Sequence, residues 1–266
     1  GLYRGLMEND WFPAVAALVS NRSARESAAA LARLVGQTVS HEGTCLIAFH
    51  RERTPEVLHH TLEPAGASHY LDRYLAGPYL LDPLFQLSQQ SIKPGICRYR
   101  DATPDRFRSS EYYRQYCEQT HLVDEIDYLI DTGDAATVVL VVGRRTRRFS
   151  RTEVARLEKL ADIVHAAMQN VWAHRLSERS GTANADDGTH LRLTRCFDRF
   201  GEGVLTDRER QITQLLLRGH STKSVARELD IAPGTVMVHK RNLFSKLDIS
   251  SQYELFSRFI DTLTAA

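Results

Sequence analysis

Residues 231–247, "IAPGTVMVHKRNLFSKL", have the pattern of a helix that begins at a proline. Proline suits the first turn of a helix because its φ is already helical and its missing N–H would have no partner there. On a 100° helical wheel one side holds a core stripe, Val236, Leu243 and Leu247. Another side holds an exposed stripe, Met237, Val238 and Arg241. The helix therefore presents apolar tips beside a guanidinium.

Short helical segments surround this run. Thr206-x-x-Glu209 is a capping box, in which each side chain satisfies a backbone N–H at the start of a helix, and Gly219 predicts its end. Further helices are predicted over 221–229 and 251–263. The three residues 230–232 match the turn of a helix-turn-helix. Residues 204–266 are thus predicted to form an all-α four-helix helix-turn-helix domain.

The exposed stripe fits the major groove of DNA. Arginine can donate two hydrogen bonds to guanine, at O6 and N7, while valine or methionine can pack on a thymine methyl. Lysines and hydroxyls at helix starts and flanks lie where phosphates would be. A merely solvated face is the alternative, and the chain's net charge of +1 requires any DNA surface to be local. The predicted DNA-binding residues are Ser221, Thr222, Lys223, Thr235, Met237, Val238, Lys240, Arg241 and Lys246.

Residues 205–255 closely resemble the LuxR-type (GerE-like) helix-turn-helix domain. The matching stretches are LTDRE (205–209), Gly219, KSVARELDI (223–231), GTVMVHKRNLFSKL (234–247) and YEL (253–255). The resemblance implies a transcriptional regulator that binds a double-stranded promoter site with its third helix and often dimerises through its last one. That dimer face would consist of Phe256, Phe259, Ile260 and Leu263, which could equally cap the bundle. The family commonly has lysine or arginine where this chain has Met237. This difference indicates that Met237 makes apolar contacts with bases and that DNA binding depends less on salt concentration at this position.

Residues 7–175 predict an α/β sensor domain with an antiparallel sheet flanked by helices. Capping boxes at Ser23-x-x-Glu26 and Ser150-x-x-Glu153 begin helices to about 39 and 172. Strands are predicted at 44–50, 56–61, 123–130 and 137–143, with a hairpin turn at 131–135. Further helices are predicted at 67–76, 82–90 and 110–120. Residues 176–203 are polar at first and predict a linker.

The sensor type follows partly by exclusion. The first strand is followed by no acidic pair, as a phospho-receiver needs, and there is no phosphate-binding glycine loop. Eight of the ten tyrosines lie between residues 70 and 128. Tyrosine offers apolar area with one polar tip, which suits a small-molecule pocket. A small-molecule ligand is therefore predicted.

The stretch YLDRYLAGPYLLDPLF (70–85) resembles acyl-homoserine-lactone (autoinducer-binding) domains. The resemblance implies Asp82 as acceptor for a ligand amide, with Tyr74 and Tyr79 as lining. The expected tryptophan is absent and the spacing is one residue short, so the chain resembles a LuxR "solo" with a related or GAF-like sensor and a non-lactone ligand. Alternatively, Asp82 only caps the next helix and the tyrosines fill the core. The candidate ligand residues are Tyr70, Tyr74, Tyr79, Asp82, Tyr116 and Asp127.

Other classes of protein fit the sequence less well. There is no G-x-S-x-G, no H-E-x-x-H and no catalytic Cys/His spacing, so no catalytic residue is proposed. The four cysteines form no CxxC pair, and neither a metal nor another cofactor is expected. The longest apolar run, 138–142, is far short of the ~20 residues that cross a bilayer, so a cytoplasmic protein is expected. Residues 1–6 precede Met7 as an expression remnant would.

Two alternatives remain for the regulator itself. One is a quorum-sensing receptor for an acyl-homoserine lactone. The other is a ligand-independent regulator whose first domain only dimerises or contacts RNA polymerase. In the favoured mechanism, ligand binding rearranges a homodimer and sets the spacing of its two reading heads.

Overall fold

The structure is a computed structural model that describes residues 11–20, 23–62, 64–133, 136–179 and 188–265. These residues form two compact units. Unit 1 is built from the stretches up to residue 64, 88–101 and 122–179, and unit 2 from 65–87, 102–121 and 188 onwards. The units therefore do not follow the predicted boundaries, because two stretches within 7–175 belong to unit 2. The possible remnant 1–6 lies outside the described residues.

The sheet of unit 1 has five strands, which we number along the chain. They are β1 Gly43–His50, β2 Glu56–His60, β3 Gly95–Arg98, β4 Asp124–Asp131 and β5 Ala136–Arg144. Their order is β2-β1-β5-β4-β3 and every pairing is antiparallel. The central strands β1, β4 and β5 are buried along most of their length. The run of apolar residues is nearly continuous in β5, as is typical of a strand covered on both faces, whereas β4 also carries Asp124, Glu125 and Asp127.

The helices are also numbered along the chain. In the order of the sequence they are α1 Trp11–Ser20, α2 Ala24–Thr38, α3 Pro64–Leu75, α4 Pro83–Ser88, α5 Tyr99–Ala102, α6 Arg151–Arg179, α7 Thr189–Arg199, α8 Asp207–Leu217, α9 Thr222–Glu228, α10 Pro233–Lys246 and α11 Gln252–Thr264. In unit 1, α2 and α6 pack against each other, and each buries an apolar stripe. These stripes form one hydrophobic core with the apolar side chains of the sheet. Leu31, Leu34 and Val164 are wholly buried there. Full burial of such a side chain stabilises the fold by roughly 1.5–3 kcal/mol.

The start of α6 is fixed by polar contacts. Ser150 accepts a hydrogen bond from the N–H of Glu153 at 3.2 Å, and Glu153 accepts one from the N–H of Ser150 at 2.8 Å, which is the predicted capping box. The guanidinium of Arg144 is buried, contacts Glu153 at 3.1 Å and lies 4.0 Å above the ring of Phe149. Arg147 also pairs with Glu153. The arginines of the basic stretch 144–148 that contact Glu153, Arg144 and Arg147, therefore have a structural role in this unit.

Unit 2 contains the predicted helical bundle, α8 to α11. Thr206 and Glu209 form the predicted capping box of α8. The bundle core is formed by wholly or nearly wholly buried side chains: Ile212, Val225, Val236, Leu243, Leu255 and Phe259. Asp230 has φ +51°, a left-handed conformation that aspartate tolerates better than most residues, and it allows the sharp turn between α9 and α10.

Several elements differ from the sequence-based expectations. The predicted helix 110–120 is a π turn, Tyr113–Cys117, followed by a 3₁₀ turn, Glu118–Thr120. The strand β3 was not predicted, because four half-buried residues at a sheet edge show little periodicity. The predicted linker 176–203 is helical at both ends, since α6 continues to Arg179 and α7 buries Leu193 and Phe197. Residues 180–187 lie outside the described residues.

Candidate DNA-binding surface and sensor cluster

The helix α10 is divided as the helical wheel predicts. Val236 and Leu243 are wholly buried and Leu247 is nearly so. On the exposed side Met237 and Val238 keep 58% and 51% of their surface in contact with solvent. Arg241 is exposed beside them. The core stripe and the exposed stripe are confirmed, and the base-reading role of the exposed stripe stays a prediction.

The predicted phosphate-contacting side chains have different surroundings. Lys223 and Thr235 are exposed, whereas Thr222 and Lys240 are half-buried. Burial lowers the pKa of Lys240, and the charge of Arg106 lowers it further. The ammonium of Lys240 lies 5.4 Å from the ring of Phe244. Of these four residues, Lys223 and Thr235 are the most accessible to a DNA backbone.

Two further predicted phosphate contacts are engaged within unit 2. The ammonium of Lys246 lies 2.7 and 3.0 Å from the carboxylate oxygens of Glu209, which is buried at the start of α8. Ser221 caps α9 by accepting a hydrogen bond from the N–H of Ser224 at 3.1 Å. The N–H of Ser221 itself donates to the carboxylate of Asp105 at 3.0 Å. Both residues therefore have structural partners in this conformation.

Five of the six candidate ligand residues come together in unit 2, where they form what we call the sensor cluster: Tyr70, Tyr74, Tyr79, Asp82 and Tyr116. Asp82 is buried; one of its carboxylate oxygens accepts from the hydroxyl of Tyr74 at 2.7 Å and the other from the N–H of Leu84 at 2.8 Å. The bond to Leu84 is at the first turn of α4, so Asp82 does cap that helix as well. Asp82 thus caps α4, as the alternative predicted, and it also lies among the tyrosine side chains, as the ligand-binding prediction requires.

The aromatic rings of the cluster contact one another. Tyr70 stacks on Tyr74 with ring centroids 6.3 Å apart, and Tyr79 lies edge-on to Tyr74 at the same distance. The guanidinium of Arg73 lies 5.0 Å from the ring centre of Tyr116. The cluster is therefore a set of packed rings around a buried carboxylate.

Three further residues contact these five, and we include them in the sensor cluster although none was among the candidates: Phe85, Tyr112 and His190. Tyr112 stacks on Tyr116 at 5.7 Å, and burial together with the nearby charge of Asp82 raises the pKa of Tyr112 well above its usual value. His190 shares a hydrogen bond of 2.7 Å with the hydroxyl of Tyr79, and Phe85 packs edge-on against the Tyr79 ring. Tyr112 is one of the eight tyrosines between residues 70 and 128, so the sequence could have indicated it as a candidate. His190 is distant in sequence from these tyrosines, and no local pattern indicated it.

Asp127 is the sixth candidate, and it lies in unit 1 rather than in the unit of the sensor cluster. It is wholly buried on β4, opposite Cys97 of β3 in the antiparallel register. Burial and the charge of Asp127 raise the pKa of the Cys97 thiol to about 12. Asp127 is therefore shielded from solvent, because β4 is covered on both faces.

The part of the chain that the structure describes has neither a cluster of metal-ligating side chains nor a helix that could span a membrane. There, no three His, Cys, Asp or Glu side chains lie close enough to share a metal ion. Within the same residues no helix has the length and apolar character needed to cross a membrane.

Comparisons with known proteins place the chain in a family. The model of "Bacterial regulatory proteins, luxR family" matches residues 203–259. An HTH-type transcriptional regulator from the exeN 3′ region of Aeromonas salmonicida is 31% identical over 189 residues, which cover 70% of this chain and 96% of that protein. The chain belongs to the luxR family. This luxR-family member is therefore a DNA-binding transcriptional regulator, in a family of regulators rather than of enzymes.

Two further relatives match different parts of this luxR-family chain. The transcriptional regulatory protein UhpA of Escherichia coli K12 is 46% identical over 57 residues, which are 21% of this chain and 29% of UhpA. The crystal structure of the VqsR LBD domain from Pseudomonas aeruginosa aligns with 65% of this chain, and the alignment covers 97% of the VqsR domain. The sequence identity is 23% and the TM-score is 0.51. The predicted fold class, an antiparallel sheet flanked by helices before an all-α helix-turn-helix domain, is confirmed.

Proposed function

We propose that this luxR-family regulator reads a promoter site with Met237, Val238 and Arg241 of α10, and that a small molecule bound at the sensor cluster controls this reading. The exposed stripe of α10 supports the first part. Apolar side chains are left on the surface beside an arginine, on the helix that follows the turn of a helix-turn-helix. In the major groove the arginine can recognise a guanine, and the two apolar side chains can recognise a thymine methyl.

The sensor cluster supports the second part. A buried carboxylate surrounded by tyrosine rings suits a ligand that has an N–H or O–H donor and an apolar body. Such a ligand would replace the hydroxyl of Tyr74 on Asp82. Because Tyr74 is buried, the ligand would also have to offer an acceptor to that hydroxyl, since a buried donor without a partner costs about 1–3 kcal/mol. The departures from the lactone-binding pattern, above all the missing tryptophan, favour a ligand other than a standard acyl-homoserine lactone. We include a homodimer in the proposal because the luxR-type resemblance implies two reading heads.

DNA reading is tested by selecting duplexes from a randomised pool with the full chain and its Arg241→Ala variant. Arg258→Ala is a matched control, because Arg258 is also exposed but lies on α11. Loss of one good arginine–guanine contact costs about 1–3 kcal/mol and should relax the sequence choice at one base pair. If Arg241→Ala and Arg258→Ala select the same sequences as the parent chain, the assignment of the reading face is wrong.

Ligand control is tested by thermal shift of the full chain against metabolites that include acyl-homoserine lactones. A ligand at 100 times its Kd stabilises the native state by about 2.7 kcal/mol, provided that it does not bind the unfolded chain. The variant Tyr74→Phe, which lacks the hydroxyl that donates to Asp82, should change the affinity. Stabilisation by a lactone would support the quorum-sensing alternative.

A ligand-independent regulator is the second candidate. It is favoured by the observation that both carboxylate oxygens of Asp82 already accept hydrogen bonds from within the chain. In that case the first domain would mediate only protein contacts, including dimerisation or contact with RNA polymerase. DNA affinity that is the same in cell extract and in buffer, with no stabilising metabolite, would favour this candidate.

A further inference from the structure

The stretch 102–121 contacts the helix-turn-helix at the start of α9, and both belong to unit 2. The carboxylate of Asp105 accepts two hydrogen bonds from Ser221, one from its N–H at 3.0 Å and one from its hydroxyl at 2.5 Å. Asp105 itself is exposed. Its pKa lies below its usual value, because these hydrogen bonds outweigh the partial desolvation that raises it. Asp105 is therefore an ionised surface carboxylate held by a backbone amide and a hydroxyl.

The backbone of this stretch approaches the helix-turn-helix very closely. The N–H of Arg106 donates to the carbonyl of Gly219 at 3.1 Å. A β-carbon at Gly219 would lie 2.9 Å from the Cα of Phe107, and the φ of Gly219 is +93°. Glycine at this position both ends α8 and leaves room for the backbone of residues 106–107. Asp105 is thus placed on Ser221 by a fixed backbone contact.

Ser221 is one of the residues predicted to contact a DNA phosphate. A carboxylate and a phosphate compete for the same donors, because both are anionic oxygen acceptors. While Asp105 holds the amide and the hydroxyl of Ser221, a phosphate cannot accept from either group. The negative charge of Asp105 also repels the DNA backbone at this point.

A second predicted surface is covered within the same unit. The rings of Phe256 and Tyr116 lie 6.4 Å apart, centre to centre. A β-carbon at Gly77 would lie 3.0 Å from the side chain of Leu263. Phe256 and Leu263, which the resemblance assigned to a dimer face, are buried to 2% and 4% exposure. The stretches 65–87 and 102–121 therefore cover part of that apolar face of α11.

We propose that the stretch 102–121 is an intramolecular inhibitor of DNA binding, in which Asp105 takes the place of a DNA phosphate on Ser221. The inference rests on the proposed function, because it assumes that this helix-turn-helix is the DNA-binding surface. The same stretch carries Tyr112 and Tyr116 of the sensor cluster, and the ring of Phe107 lies 5.9 Å from that of Tyr112. The inhibitor and part of the sensor cluster are one piece of chain.

The inhibition is tested with the full chain and a 24-base-pair duplex of arbitrary sequence. Phosphate contacts carry no sequence information, so no operator is needed. We expect Asp105→Ala to bind this duplex about tenfold more tightly than the parent chain in fluorescence anisotropy at low salt, which corresponds to about 1.4 kcal/mol. Asp105→Asn, which keeps the shape but removes the charge, should give a smaller gain.

The matched control is Asp101→Ala. Asp101 is also exposed, and its replacement removes the same charge four residues earlier. It pairs with the exposed Arg100 at 3.7 Å and not with Ser221, so this variant reports the loss of a surface carboxylate outside the Asp105–Ser221 contact. We expect its affinity to stay within about twofold of the parent value. Equal affinities for Asp105→Ala, Asp101→Ala and the parent chain would overturn the inhibition and leave the proposed function standing. If neither the parent nor any variant binds DNA, the proposed function fails and the inhibition with it.

Discussion

Replacement of Lys246 by alanine separates two roles for this residue. The sequence predicted a phosphate contact, whereas the structure places the ammonium of Lys246 2.7 and 3.0 Å from the carboxylate oxygens of Glu209. Glu209 is 2% exposed and accepts from the N–H of Thr206 at 2.8 Å, which caps α8. Lys246 therefore neutralises a buried charge on which the start of α8 depends.

The expected loss of stability follows from this burial. Removing one partner of a fully buried ion pair costs about 3–5 kcal/mol. The side chain of Lys246 is 39% exposed, so solvent screens the pair and we expect about 1–2 kcal/mol. Burial tends to raise the pKa of Glu209, but the hydrogen bonds from Lys246 and Thr206 hold it below its usual value. The pair stabilises the fold while Glu209 is ionised, so the difference between parent and Lys246→Ala should be largest at neutral pH and shrink as the solution becomes acidic.

Urea denaturation at pH 7 and pH 4 measures this difference. The matched control is Lys223→Ala, because Lys223 is exposed on α9 and its loss should leave the free energy of unfolding within about 0.5 kcal/mol. Lys223→Ala should instead lower the salt dependence of DNA binding, with the slope of log affinity against log salt reduced by about 1. A Lys246→Ala variant that is as stable as the parent chain at pH 7 would refute the assignment.

Two further predictions concern the reading helix and unit 1. Met237→Lys adds a cation to the exposed stripe and should steepen the slope of log affinity against log salt by about 1. Anisotropy titrations at several salt concentrations measure this slope. An unchanged slope would place Met237 away from the phosphates. In unit 1 the pKa of Glu56 falls from 4.5 to about 2, because hydrogen bonds and the charges of Arg175 and Arg179 outweigh the effect of burial, which raises it. The stabilisation is present above pH 4.5 and is lost as the pH falls towards 2, so Glu56→Gln should cost at most about 3 kcal/mol at pH 7 and almost nothing at pH 2 in acid-unfolding curves. Equal losses at both pH values would show that the ion pairs do not cause the effect.

The sequence predicted best those features that local chemistry determines. The capping boxes at Thr206 and Ser150 depend on residues three positions apart, and both are formed. The division of α10 depends on the helical period alone, and Val236 and Met237 fall on the expected sides. The central strand β5 was predicted for a similar reason, since a strand covered on both faces needs continuous apolar residues.

The features that were missed depend on contacts between distant parts of the chain. The helix α7 has His190, Leu193 and Phe197 on one side, which is a helical spacing, but the polar residues before it indicated a linker. The sensor cluster required His190 to meet Tyr79, a pairing over 111 positions that no local pattern encodes. The contact between Asp105 and Ser221 spans 116 positions, and an aspartate in a polar loop carries no sign of it.

The composition of unit 2 has a practical consequence for dividing this protein into fragments. A cut between residues 175 and 203 follows the order of the sequence but separates pieces that pack together. A fragment that begins at residue 188 would lack Tyr116, which packs on the buried ring of Phe256, and it would also lack Asp105. Its solubility and its DNA affinity would therefore both differ from those of the whole chain. A fragment that ends at residue 175 would leave Tyr79 without His190. Fragments cut at this boundary would therefore report on new surfaces, and regulation in this protein is best measured on the uncut chain.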